Sequence, residues 1–387
     1  MTAPPLDDRP HPGAGAGPER DPEGNVRGEP LREPPGAGAA GALATEYRVG
    51  TASWLDRALL ASGRFYPRPA MSAEARLRWY ARFFDCVEVN STYYALPSPR
   101  NAVMWAERTP PGFLFHVKAY SLMTGHHPRL ESLPPELRLM LPEEVPLRRH
   151  GEVDRDRFPP EALDRAFALF RAALEPLAAA GKLGYVLFQL APWVRYGERV
   201  LAYLATLPGR LPGWAVAVEF RHESWIPRRT AEVVEFLVRH GLALVTVDAV
   251  WQPWVDATTS AEWAVLRLHG RNLQGWLDQQ AGREPTVAEK YDYRYDAREL
   301  GEVAGRVRRL HGRVRRLAVT FNNNNEDFPV QNALDLKRLL GLQAPDLAEA
   351  RGAIGTRRSG RAPGRGRAGA GEAPLTGTPD GDEGGAG

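Results

Sequence analysis

In the stretch Cys86-Val87-Glu88-Val89-Asn90, side chains alternate between the two faces of an extended chain, so Glu88 and Asn90 share one face and the two valines the other. The same split recurs where Val216, Val218 and Phe220 stand against Glu219 and Arg221, and where Leu266 and Leu268 stand against Arg267 and His269. Eight short apolar runs of this kind lie at 47–53, 86–90, 113–118, 185–189, 215–221, 242–248, 265–269 and 318–322, each ending in polar or ionisable side chains. In a sandwich the polar face would simply be solvated. Here long amphipathic helical patterns separate most of the runs, which implies parallel strands with helices packed over the apolar face. The polar face then points inward. The expected fold is an α/β, TIM-like (β/α)8 barrel of eight parallel strands, whose site lies at the C-terminal ends of the strands.

The helical patterns have readable ends. Ser72 is an N-cap ahead of Leu77, Tyr80 and Phe84, and Ser98-Pro99 opens a second helix. Leu163, Phe167, Phe170, Leu174 and Leu177 form a third stripe that Gly181 ends. Further helices are expected over 196–207, 230–240, 296–311 and 330–340. The segment 249–262 has no stripe, so an irregular connection is expected between strands six and seven, leaving Trp251 and Trp254 near the mouth. The Pro-rich, charged segment 126–160 reads as a long excursion after the third strand, and loops at that end of a barrel often carry function.

The chain has 387 residues, whereas a barrel of this kind needs about 250. Residues 1–44 and 346–387 are rich in Pro, Gly, Ala and charge, and bury too little to offset ordering entropy; both read as disordered tails around one domain at 45–345. Six arginines and no acid lie between Arg351 and Arg367, in an Arg/Gly context, followed by Glu372, Asp380, Asp382 and Glu383. Net charge is only +3. Lysine occurs only at 118, 182, 290 and 337, so Lys118 inside a barrel strand stands out. The single Cys86 excludes an internal disulfide and a thiolate metal cluster. No run has the length of a membrane span and the N-terminus lacks a signal-peptide stretch. The expectation is a soluble cytoplasmic protein with no membrane partner.

Several motifs are similar to those of the YecE-like family, a group of TIM-barrel proteins defined as a domain of unknown function. They are Val49-Gly50-Thr51-Ala52-Ser53-Trp54 with Phe65-Tyr66-Pro67, Val87 to Tyr94, Val117-Lys118-Ala119, Leu187 to Pro192, Val218 to His222 with Trp225, Arg267-Leu268-His269-Gly270, and Phe321-Asn322-Asn323 leading to Asn332-Ala333. They follow in order over nearly the whole expected domain. The resemblance implies a TIM-like barrel and no established activity. The sequence departs from the family pattern in three places. The family commonly reads Gly-Thr-Ser-Gly-Trp where Ser53 precedes Trp54 here; its Thr-His pair appears as Thr124-Gly125-His126-His127; and 140–158 looks like added length.

The inward ends gather Thr51, Ser53, Glu88, Asn90, His116, Lys118, Gln189, Glu219, Arg221, Asp248, Arg267, His269 and Asn322. Buried charges do not persist unpaired, so a barrel-filling ion-pair network is the rival to a functional site. Ordinary barrels, however, fill their interiors with branched apolar side chains. The leading expectation is an enzyme of hydrolase or isomerase type acting on a small polar or anionic molecule. Glu88, Glu219, Asp248 and His269 form the candidate catalytic set, with Glu88 and Glu219 as acid and base. Thr51, Asn90, Lys118, Gln189, Arg221, Arg267 and Asn322 form the candidate substrate-binding set, the cations holding a phosphate or carboxylate. The residues name no cofactor. A divalent metal on Glu88, Glu219, Asp248 and His269 ranks below a metal-free site because cations share the pocket. The alternative class is a nucleic-acid-binding or nucleic-acid-processing protein, its barrel resembling those of metal-dependent apurinic endonucleases, with Arg306, Arg308, Arg309, Arg313, Arg315, Arg316 and the Arg-rich tail on phosphates. His126-His127 reads as a pair of solvated loop histidines.

Overall fold

A computed structural model describes residues 43–280, 283, 289 and 291–352. All eight runs are strands: β1 (Glu46–Thr51), β2 (Cys86–Val89), β3 (Leu114–Lys118), β4 (Leu183–Gln189), β5 (Ala215–Glu219), β6 (Ala243–Ala249), β7 (Trp263–Gly270) and β8 (Arg316–Phe321). They hydrogen-bond in the order β2-β3-β4-β5-β6-β7-β8-β1, every pair parallel. The two ends of this sheet meet at a single bridge between Ala52 and Glu88, where the Ser53 amide donates to the Glu88 carbonyl at 2.9 Å. The result is a nearly closed barrel.

Seven main helices pack outside: α1 (Ala73–Tyr80), α2 (Pro99–Glu107), α3 (Pro160–Ala179), α4 (Glu198–Ala205), α5 (Thr230–His240), α6 (Ala297–Leu310) and α7 (Phe328–Leu339). Three of them, α1, α2 and α6, start at side-chain caps. The Ser72 and Ser98 hydroxyls accept from the amides of Ala75 and Asn101, and Asp296 with Glu299 closes a reciprocal capping box. A helix at Leu273–Gln280, after β7, is additional to the expected set. Among the described residues no helix is long and apolar enough to cross a membrane. Residues 347–352, which belong to a separate compact unit, are helical. Most of the two expected tails lies outside the described residues.

The connection 249–262 contains no helix. It runs instead as a strap along the outer side of β6: the Thr246 hydroxyl donates to the Val255 carbonyl at 2.8 Å, and Thr259 donates to Leu242 while accepting from the Leu244 amide. These side-chain bonds do the covering that a helix does elsewhere. The excursion after β3 is built of short helical turns and two antiparallel bridges, Arg129 to Glu152 and Leu147 to Val153, with Leu133, Leu137 and Val153 buried.

The lower barrel interior is apolar. Cys86, Leu114, Tyr185, Leu187, Ala217, Ala243, Val245, Val247, Trp263, Val265 and Ala318 form one buried cluster. This cluster fixes the inward parity of each strand, and the polar side chains above it follow that parity on β2, β3, β4, β5, β7 and β8. Two backbone positions are tightly constrained. Between β3 and β4 the register shifts, and a side chain at Gly184 would place its Cβ 2.3 Å from His116 Nδ1. At the end of β1, Ser53 holds φ of 89°, a left-handed conformation in the place where the family pattern has glycine.

Gly184→Ala is therefore expected to lower stability by about 1–3 kcal/mol through overpacking, and by much less in a His116→Ala background, as read by denaturant titration. Ser53→Gly is expected to raise stability by about 1 kcal/mol, the cost of a non-glycine residue in that region, provided the loss of its hydroxyl bond to the Leu55 amide is small; an unchanged or lower midpoint would show that this bond outweighs the strain.

Candidate functional site

The upper interior of the barrel is organised by Arg267 on β7, which is 1% exposed. Its Nε and Nη2 donate to the two carboxylate oxygens of Glu88 on β2, at 2.9 and 2.6 Å, a bidentate pair across the barrel. Its Nη1 donates to Glu219 on β5 and, at 3.4 Å, to Gln189 on β4. The other oxygen of Glu219 accepts from Arg221 Nε at 2.5 Å and lies 3.6 Å from His269 Nε2. Asn322, just past β8, donates to His269 Nδ1 at 3.0 Å. Side chains from four strands, with Asn322 just past a fifth, thus form one continuous network, since a buried guanidinium requires that its donors be matched.

The electrostatics follow from this packing. Burial works against ionisation of Glu219, but Arg221, Arg267 and His269 outweigh it and hold its carboxyl well below the usual range. Burial likewise opposes the Arg267 charge, and Glu219 and Glu88 more than restore it. Burial, with Arg221 adding to it, pushes the His269 imidazole down to about 3, so it is neutral at physiological pH. The neutral ring has contacts of opposite demand: Asn322 approaches Nδ1 at 3.0 Å, while Nε2 lies 3.6 Å from the Glu219 carboxylate and 3.3 Å from Arg267 Nη1, which can only donate. Glu219 is a fixed anion and His269 a neutral imidazole beside it.

Lys118, at the end of β3, differs from these. It is half-buried, its Nζ lies 4.3 Å from the centroid of the Tyr93 ring, and among the described residues it has neither an ion pair nor a side-chain hydrogen bond. Burial, then Arg267 and Arg221, push its pKa down to about 7, against a smaller opposing pull from Glu88 and Glu219. Asn90 continues the inward face of β2 beside it, and the Asn90 Oδ1 is buried without a hydrogen-bond partner.

Two expected site residues lie elsewhere. Thr51 faces the helix layer, because on β1 it is Gly50 that points at Cys86 of the adjoining β2; the Thr51 hydroxyl and amide are both bound to the Tyr80 hydroxyl of α1, at 3.0 and 2.9 Å. Asp248 also turns outward, because Val245 and Val247 take the inward parity of β6. Its carboxylate is gripped by Arg271 at 2.8 and 2.7 Å, which also reaches Glu299 of α6. Ser53 caps the local turn, and His116 lies lower in the barrel, stacked on Tyr185 at 4.0 Å, its own pKa pushed to about 3 by burial. Asn332, in the last family motif, holds the Tyr295 backbone and Asn323.

With Asp248 turned away and the Arg267 guanidinium standing between Glu88 and Glu219, the set envisaged for a divalent metal does not converge. Among the described residues no group of three His, Cys, Asp or Glu side chains could hold a metal ion.

Of the two tryptophans expected near the mouth, Trp251, from the strap after β6, is there: it lies under the Arg221 guanidinium at 4.7 Å and beside His269 at 5.2 Å. Trp254 is outside, against Arg306 of α6. His126 is not a solvated loop residue: it is 8% exposed, packs edge-on to Tyr93 at 5.0 Å and against Trp193 at 5.5 Å, and its Nδ1 lies 2.8 Å from the Thr124 hydroxyl. His127 stacks on Trp193 and lies 3.5 Å from Asp154. The late arginines are engaged locally: Arg306 and Arg309 with Asp256, Arg308 with the Leu339 carbonyl, Arg315 and Arg316 with Glu262.

Comparison with known proteins agrees with this architecture. The family model described as "Protein of unknown function DUF72" matches residues 48–354. The chain is 28% identical over 306 residues to the UPF0759 protein YunF of Bacillus subtilis, covering 78% of this chain and 96% of that protein. A stretch of 42 residues is 50% identical to the UPF0759 protein YecE of Escherichia coli, covering 11% of this chain and 15% of that one. A solved DUF72 family protein from Thermotoga maritima is similar with a TM-score of 0.58 and 28% identity, over 76% of this chain and 99% of that one. Another, from Enterococcus faecalis, has a TM-score of 0.62 at 22% identity, over 78% of this chain and 98% of that one. By the extent of the family match, and by motifs that run in order from β1 to α7, this chain belongs to the DUF72 family.

Proposed function

We propose that the barrel mouth binds a small anionic substrate and acts on it as an enzyme of hydrolase or isomerase type. The observation that carries this reading is the half-buried Lys118 ammonium without a carboxylate partner, beside a network in which the other charges are already matched. With Asp248 bound to Arg271 outside the barrel, three cations (Lys118, Arg221 and Arg267) face two carboxylates (Glu88 and Glu219). The surplus is one positive charge in a poorly solvated place, where a phosphate or carboxylate offsets it.

The roles then differ from those first assigned. Glu219 is too firmly ionised to serve as a general acid, and both oxygens of Glu88 are occupied by Arg267. These two carboxylates orient Arg267 and Arg221. Lys118, with its pKa near 7, is the group able to bind as an ammonium and to exchange a proton near neutrality. Trp251 and Tyr93 wall the site.

Network and ligand are separable by mutation. Glu88→Gln leaves a buried guanidinium half-paired and is expected to lower stability by about 3–5 kcal/mol. Lys118→Met removes an unpartnered cation, so stability is expected to hold or rise, while the thermal shift given by inorganic phosphate or sulfate is lost. A Lys118→Met protein that keeps the full anion-dependent shift would refute the anion site.

The pH dependence has a definite sign. Anion binding requires the ammonium form, so the sulfate-induced shift is expected to be large near pH 6 and to fade as pH rises through about 7; in Lys118→Met the residual shift should be flat. Stability of the free protein runs the other way. The folded pKa lies below the ordinary lysine value of 10.5, so the unfolded chain binds more protons between about 7 and 10.5, and this group's destabilisation is relieved as pH rises across that window.

A further inference from the structure

Around Tyr93 three groups with complementary hydrogen-bonding character come together. Lys118 Nζ lies over the Tyr93 ring and can only donate. His126 packs against the same ring, nearly perpendicular to it at 5.0 Å. Its tautomer follows from the partner of the Thr124 hydroxyl. That hydroxyl is placed to donate to the Ser121 carbonyl at 3.1 Å, which the Gly125 and His126 amides also reach. With the hydroxyl hydrogen on that carbonyl, the 2.8 Å contact between Thr124 Oγ1 and His126 Nδ1 is an N–H donated by the imidazole. Burial, together with Lys118, Arg221 and His127, keeps the ring neutral, and a neutral imidazole has one N–H. His126 Nε2 is therefore a lone pair, and among the described residues it has no partner. The third group is Asn90 Oδ1, a buried acceptor without a hydrogen bond, on the residue just past β2 that, by continuation of the β2–β3 register, stands opposite Lys118.

An anion alone satisfies Lys118 but would set its own lone pairs against these two acceptors. We infer that the ligand of this site is an anion bearing hydroxyl groups, a sugar phosphate or a hydroxy-carboxylate, with its charge on Lys118 and its hydroxyls donating to His126 Nε2 and Asn90 Oδ1. The inference rests on the anion reading of Lys118 and adds the specificity. A buried acceptor left unpaired is costly, so a site built to receive hydroxyls discriminates strongly against analogues that lack them. His126 and Asn90 are specificity-determining here, while Lys118 supplies affinity common to all anions.

Matched pairs of probes test this by calorimetric titration: glycerol 1-phosphate against propyl phosphate, and glycerate against propionate. In the unmodified protein the hydroxylated member of at least one pair is expected to bind roughly tenfold tighter. His126→Phe, which keeps a ring against Tyr93 and Trp193, and Asn90→Leu should each bring that ratio towards unity while leaving the binding of the hydroxyl-free member unchanged. Asn90 makes no side-chain cap bond to the short helix at Ser91–Tyr94, so Asn90→Leu keeps the test sharp even where His126→Phe impairs folding. Equal binding of both members of both pairs, or a ratio that survives in Asn90→Leu and in folded His126→Phe, would overturn the hydroxyl assignment alone. Binding of none of the four anions, or binding untouched by Lys118→Met, would overturn the anion site and this inference with it.

Discussion

The Arg267 guanidinium is the constraint on which the upper barrel depends. A fully buried cation of this size survives only if nearly all of its donors are matched, and here that requirement draws in Glu88 from β2, Gln189 from β4 and Glu219 from β5. Glu219 is held in turn by Arg221, and Arg221 lies over the face of Trp251. The planar fork of arginine suits this task because it sets two carboxylates at defined angles, which a lysine ammonium would not do. The network orders strand ends that a purely apolar core would leave free to slide.

The same matching explains why the site keeps a usable charge. Had Asp248 pointed inward, it would have neutralised Lys118 and made the mouth a closed ion-pair lattice. Instead Asp248 is held by Arg271 and lies near Glu299 in a separate cluster between the strand ends and α6. Lys118 is left with an aromatic face in place of an acid, an arrangement that keeps a cation in place without discharging it. The fold stores an unmet electrostatic demand there, at some cost to stability, which is a common mark of a binding site.

Much of this was legible in the sequence, and the exceptions have physical reasons. Alternation at Cys86–Val89 and Trp263–Gly270 gave the correct inward face because one parity carries charge and the other does not. On β6 both parities are buried, and the polar one, Thr246 and Asp248, faces the strap and Arg271 instead of the lumen, so polarity there gives the opposite sign from the other strands. On β1 the inward residue near the bridge is Gly50, which has no side chain to read. His126 was out of reach for another reason. Its burial is produced by Tyr93 after β2 and Trp193 after β4, contacts distant in sequence that no local pattern encodes. The irregular link after β6 was visible as a missing stripe, whereas its hydroxyl bonds to the outer edge of that strand were not.

Glu88 serves two structures at once. Its carbonyl makes the bond to Ser53 at the single bridge where the barrel meets itself, and its carboxylate carries half of the Arg267 clamp. The circumference of the cylinder and the charge distribution in its lumen therefore share one anchor. Any widening of that joint displaces a carboxylate by the same motion, so the mechanical closure of the wall and the electric field at the mouth are coupled through one residue.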